Sequence, residues 1–180
     1  MRFSTNPGIR VSLAVCLLSF CISSFGITLE ELRKTPDLTP ARFAAHFSGF
    51  EFRFRKQVQA PEVFLARRSG DCDDFSTLAA MVLREKGYTP RLITVRMPGV
   101  VHVVCYIEET RAYLDYNHRS SAEGMVRSKP EMEAIAASVA ESYGLTWSSA
   151  TEFTYEGGLK RLVRTVAPRR GQAILATVFR

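Results

Sequence analysis

The spacing of apolar residues between Phe75 and Leu83 constrains this chain more than any other feature. Phe75, Leu78, Ala79, Val82 and Leu83 fall at i, i+3, i+4, i+7 and i+8, one face of a helix, and Gly87 stands where a helix C-terminus favours glycine. The pattern then changes to strands. Arg91 to Met97 and Val100 to Ile107 read as a pair joined through Pro98-Gly99, and Ala112 to Tyr116 follows a polar turn at Glu108 to Arg111. A helix leading into an antiparallel meander defines the α+β class, with the helix at the front and the sheet behind it.

The flanks fit around this unit. Thr28 with Glu31 forms a capping box for a short helix, and Thr39-Pro40 opens a second that reaches about Phe47. Phe50 to Arg55 alternates strictly, which predicts a half-buried strand with Phe50, Phe52 and Phe54 on one face. Pro61 opens a helix through about Arg67. Ser128 is expected to cap a helix carrying Met132, Ile135, Ala136, Val139, Ala140 and Tyr143 on one stripe, ended by Gly144. A hairpin is expected from Thr151 to Val166 around Gly157-Gly158, with a last strand at Ala173 to Phe179. No repeat, low-complexity stretch or linker divides the chain.

The first 26 residues stand apart. Arg2 and Arg10, no acid, an apolar run from Val11 to Phe25, and Ser24 and Gly26 at its end have the layout of a secretory signal cleaved near Gly26. The run is short for a membrane span, which needs about 20 apolar residues. Removing 26 residues from 180 leaves a single domain, 27–180, with 154 residues, and lowers the formal charge from +6 to +4. Export to the periplasm or the medium is the expectation, with an uncleaved membrane anchor as the alternative. Basic residues are spread along the chain, which argues against nucleic acid as a partner. Arg161, Arg164, Arg169 and Arg170 read as a solvated edge, with an anionic wall or membrane surface as the sharper alternative. Four cysteines and three histidines, with no C-x-x-C pair, exclude a disulfide scaffold and a multi-zinc protein. Cys16 and Cys21 leave with the signal, so the mature thiols are Cys72 and Cys105.

Cys72 opens the amphipathic helix, where unpaired backbone N–H groups and the positive end of the dipole favour thiolate, the nucleophilic form. Asp71, Asp73 and Asp74 oppose that charge. A neighbouring imidazolium is therefore needed, and His102, set among Val100, Val101, Val103 and Val104 in the second strand, is the candidate. Asp115 lies on the next strand, where antiparallel pairing can bring it beside His102. Cysteine, histidine and aspartate in this order follow the logic of nucleophile, base and orienting carboxylate. Each residue alone is more simply structural: a buried thiol, a core histidine, a strand-end cap. The acidic triplet lacks the turn Gly and distal Glu of an EF-hand and is expected to cap the helix. Cys105 differs in parity from His102, which places it on the other side of the strand and argues against a disulfide with Cys72.

The stretch Ser69-Gly-Asp-Cys-Asp-Asp-Phe-Ser-Thr-Leu-Ala-Ala, then Leu83-Arg-Glu-Lys-Gly-Tyr-Thr-Pro-Arg, Val101-His-Val-Val and Tyr113-Leu-Asp-Tyr-Asn resembles the core of the transglutaminase-like superfamily, including its bacterial cysteine-peptidase branch. Residues 57–117 carry the match, most clearly from Arg68 onward. The resemblance implies a papain-like α+β fold with Cys72 as nucleophile, His102 as general base and Asp115 orienting His102. It implies a protein or peptide substrate and acyl transfer or hydrolysis at a carboxamide or peptide bond; no cofactor and no metal-ligating residue is expected, and a calcium requirement stays open. Val103 and Val104 follow the His where the family often has a small residue and an aromatic. No Trp precedes Cys72, so the oxyanion donors fall to the Cys72 N–H and to Gln57. Asn117 or His118 replaces Asp115 as third member if the strand register slips. A catalytically silent binding module on the same fold, docking protein or wall polymer, is the alternative function.

Overall fold

The computed structural model describes residues 26–121, 124–156 and 158–168. The expected signal run and the expected strand at Ala173 to Phe179 lie outside the described residues, as do Arg169, Arg170 and Gly157.

Local signals account for the front of the domain. The Thr28 hydroxyl accepts the Glu31 N–H while the Glu31 carboxylate accepts the Thr28 N–H, so α1 (Leu29–Lys34) begins as its capping box predicts. The Thr39 hydroxyl accepts the Arg42 N–H and so caps α2 (Pro40–Ala45), with Pro40 in its first turn. After β1 (Glu51–Phe52), α3 (Pro61–Arg67) ends at Arg68, which takes a left-handed conformation, and β2 (Ser69–Gly70) runs parallel to β1. The Asp71 carboxylate accepts the N–H groups of Asp73 and Asp74, and the Asp74 carboxylate accepts the Asp71 N–H, so the acidic triplet starts α4 (Cys72–Glu85) as expected.

The sheet is six-stranded and antiparallel, in the order β6-β5-β4-β3-β7-β8. Its strands are β3 (Pro90–Met97), β4 (Val100–Ile107), β5 (Ala112–Leu114), β6 (Val126–Arg127), β7 (Ser149–Glu156) and β8 (Leu159–Val166). α5 (Met132–Ser142) precedes β7. Alternation divides β4 between two cores: Val103, Cys105 and Ile107 pack on the α4 side, while Val104 and Tyr106 pack with Ile135, Ala136 and Val139 of α5. The sheet therefore has a helix on each face. That explains the unbroken apolar run of β4, which a sheet wet on one side would not need. Phe75, Leu78, Ala79, Val82 and Leu83 are all buried, and each of the four larger side chains contributes about 1.5–3 kcal/mol.

Three expectations need correction. The half-buried strand over Phe50 to Arg55 shrinks to Glu51–Phe52, and only Phe50 of its three phenylalanines is buried. Phe50 stacks into a ring cluster with Phe47 and Phe64, whereas Phe52 and Phe54 stand in solvent. Ser128 does not cap α5; Glu131 occupies the N-cap without a side-chain hydrogen bond, because the turn over Pro130 delays the helix. And the sheet has a second helical layer, which the reading of one helix in front left out.

Candidate active site

Cys72 sits at the first position of α4, so its sulfur leaves the helix where the backbone donors are exposed. The Asp71 cap takes the N–H groups of Asp73 and Asp74, and the Asp71 carbonyl takes that of Phe75. The Cys72 N–H is the first-turn donor that this cap does not use.

His102 is the third residue of β4, opposite Val95 on β3. Asp115 follows β5 directly, and the β4–β5 register pairs Cys105 with Leu114. That register carries Asp115 alongside His102. His102 Nε2 lies 2.9 Å from Asp115 Oδ1, with both side chains buried. Cys72 lines the same cavity as His102 and is among the groups that raise the ring. With Nε2 given to the carboxylate, Nδ1 is the nitrogen that remains for the thiol. Burial opposes a charge on the His102 ring, but the Asp115 hydrogen bond, then Cys72, outweigh it and push the ring up to about 10. Burial likewise opposes the Asp115 charge, and its hydrogen bond to His102 leads the effects that hold the carboxyl below its usual range.

The two alternatives for the third member are also beside Asp115. The Asn117 N–H donates to Asp115 Oδ1 at 2.8 Å, and His118 Nδ1 lies 3.3 Å from Oδ2. Neither displaces Asp115 from His102. Asn117 instead donates its side-chain amide to the Tyr143 hydroxyl, and the Tyr143 ring meets His102 edge-on at 5.3 Å between centroids. Tyr143 thus walls the histidine from the end of α5.

These residues enclose a cavity of about 360 Å³, lined by Cys72, His102, Asn117 and Tyr143 with Phe52 and Phe54 at its mouth. Gln57 is exposed in the bend after β1 and does not line this cavity. Its neighbour Gln59 is drawn in, its amide donating to the Ser69 carbonyl and to Asp74, so the loop is pinned one step away from the expected donor. Burial, together with Asp71 and Asp74, raises the Asp73 carboxyl, while Lys160 and His102 oppose that rise. Cys105 is wholly buried on the α4 side of β4, the opposite side of the strand from His102, and both cysteines are free thiols.

Several positioning residues had no signal in the sequence. Arg119 donates to the carbonyls of Phe47, Phe50 and Tyr116 and stacks on the Tyr116 ring at 3.9 Å. The Tyr116 hydroxyl donates to the Glu51 carbonyl at 2.8 Å. Together they fasten the segment around β1 to the turn that carries Asp115. A tyrosine at a helix end and an arginine in a polar loop are common features, so their spacing alone did not distinguish them.

An α4-borne cysteine set against an antiparallel sheet, with histidine on β4 and aspartate directly after β5, defines an α+β cysteine fold. Residues 31–119 match the family described as transglutaminase-like domain, a span that includes Cys72, His102 and Asp115. The chain carries a transglutaminase-like domain, as the resemblance implied. Among solved structures it is similar to calcium-bound LapG of Legionella pneumophila, at 15% identity and a TM-score of 0.47, over 82% of this chain and 80% of that one. A comparison with curated proteins finds no match.

Proposed function

We propose that the protein is an exported enzyme that uses Cys72, His102 and Asp115 for acyl transfer or hydrolysis at a carboxamide or peptide bond of a protein substrate. The observation that carries this reading is the shared cavity: His102 meets Asp115 at 2.9 Å, and Cys72 lines the same cavity as His102. An imidazolium there favours thiolate at the helix start. The sulfur attacks the carbonyl carbon, the C–S bond forms, and the carbonyl electron pair moves to oxygen, where the Cys72 N–H can donate. Collapse expels the amine, which takes its proton from His102 and leaves a thioester. His102, now neutral, accepts a proton from water or from an incoming amine as that nucleophile attacks. The thioester C–S bond breaks and the product is an acid or a new amide.

Cys72→Ala tests this. Turnover of a peptide or carboxamide substrate, and alkylation at residue 72, should both vanish; unchanged turnover overturns the proposal. Incorporation of an added amine into the product distinguishes transfer from release of the free acid.

Export rests on Arg2, Arg10 and the apolar run that follows them. It is supported by the position of α1, which begins at Leu29 just beyond the expected cleavage point. Protein recovered outside the cytoplasm with Ile27 as its first residue would bear this out; recovery of an intact Met1 species from the cytoplasm alone would overturn it.

A further inference from the structure

The segment that leads past the cysteine carries two phenylalanines into solvent. Phe52 is 58% exposed and Phe54 75%. With Val101, they are three of the seven large apolar side chains most exposed among the described residues, and all three line the Cys72–His102 cavity. Exposed apolar side chains gathered at one cavity mark a binding surface more than scattered ones do. Arg53 and Arg55, which alternate with these phenylalanines, line a separate groove. The side of the cavity formed by Phe52, Phe54 and Val101 is therefore apolar, while Asp71 and Asp73 line it next to Cys72.

The backbone adds a second, independent observation. The Glu51 N–H donates to the Arg68 carbonyl at 2.9 Å, the Arg53 N–H to the Gly70 carbonyl at 2.7 Å, and the Arg55 N–H to the Asp71 carboxylate at 2.7 Å. Alternate residues of an extended strand direct their amides to opposite edges. The backbone groups of Phe52 and Phe54 therefore face the edge away from β2, where an incoming extended chain can pair.

Resting on the catalytic reading above, we infer that the substrate is an extended peptide segment that adds as a strand along residues 52–54 and lays an apolar side chain against Phe52, Phe54 and Val101. Cross-strand neighbours on one face are in contact, so a leucine or phenylalanine on the added chain meets the phenylalanine wall. The wall then selects peptides over glycans and apolar side chains over polar ones.

Binding to full-chain Cys72→Ala protein reads the wall without chemistry. Two end-blocked hexapeptides are compared by calorimetry, one with leucine at alternate positions and one with serine there. The leucine peptide should bind on the order of 10–100-fold more tightly. Phe52→Ser combined with Phe54→Ser should erase that difference without moving the thermal midpoint, since both rings are exposed. Methylating alternate peptide nitrogens of the leucine peptide should weaken it several-fold. Equal binding, no measurable binding, or a preference that survives the double substitution overturns the inference. Alkylation of Cys72 by iodoacetamide in the wild-type chain tests the catalytic reading separately. An unreactive thiol beside an intact leucine preference would sink the enzyme and leave the peptide groove standing.

Discussion

His102 Nε2 and Asp115 Oδ1 are 2.9 Å apart in a site from which both side chains are almost wholly shielded. Two strands meet there: His102 belongs to β4, and Asp115 is the residue directly after β5. A buried charge is costly unless it is paired, so each group supplies the partner that the other needs. The pair fixes which ring nitrogen faces the carboxylate, and with it which one is left for Cys72.

Asp115→Asn should therefore lower the ionisation of His102 from about 10, because the Asp115 hydrogen bond is the leading effect that raises it against burial. A histidine ring titration by NMR reads the change directly. Turnover should fall by about 10²–10⁴-fold, the size expected when the orienting carboxylate of a triad is neutralised. An unmoved His102 midpoint would show that Asp115 does not govern the ring.

The same substitution should reveal a pH-dependent part of the stability. The Asp115 carboxyl is held below its usual range, so its stabilising contribution is complete above the unfolded value of about 3.9 and is lost as pH falls through the lower folded value. The gap in urea midpoint between wild type and Asp115→Asn should be wide at pH 7 and should narrow towards pH 3. A gap that stays constant over that range would assign the effect to packing alone.

Cys72 and Cys105 should differ sharply in reactivity. Cys105 is fully buried and its thiol is pushed up, chiefly by burial, whereas Cys72 is half-buried at the cavity. Under native conditions iodoacetamide should modify the peptide carrying Cys72 and leave the peptide carrying Cys105 untouched, as mass spectrometry of the digest will show. Denaturation should make both react. Native labelling at Cys105 would mean that β4 opens readily to solvent.

How far the sequence disclosed this site follows from how local each signal was. α4 was legible because its apolar positions and its acidic cap lie within one helix, and β3 to β5 because short turns fix antiparallel neighbours. That register brought His102 and Asp115 together without further information. The segment around β1 misled because alternation of phenylalanine and charge has the period of a half-buried strand, yet burial depends on what covers the face. Phe50 found the Phe47–Phe64 cluster, and Phe52 and Phe54 found the cavity mouth. Tyr143 and Arg119 reach the site through contacts 26 and 69 to 72 residues away in sequence, which no local period encodes.

Gly70 should be among the least replaceable residues outside the site itself. A Cβ there would lie 2.3 Å from Asp74 Oδ2 and 2.7 Å from the Phe64 ring. Neither neighbour can retreat cheaply: Asp74 accepts the Asp71 N–H and the Gln59 N–H, and Phe64 is core. Gly70→Ala should cost about 1–3 kcal/mol or more, seen as a lower thermal midpoint. Because the shift is forced on the cap of α4, Cys72 alkylation should slow as well. Gly99→Ala is the control, with a left-handed φ of +73° but nothing within 4 Å of its Cβ. It should cost about 1–2 kcal/mol from backbone strain and leave Cys72 reactivity unchanged. If both variants lose stability but neither alters the thiol, the cap of α4 does not set the position of the cysteine.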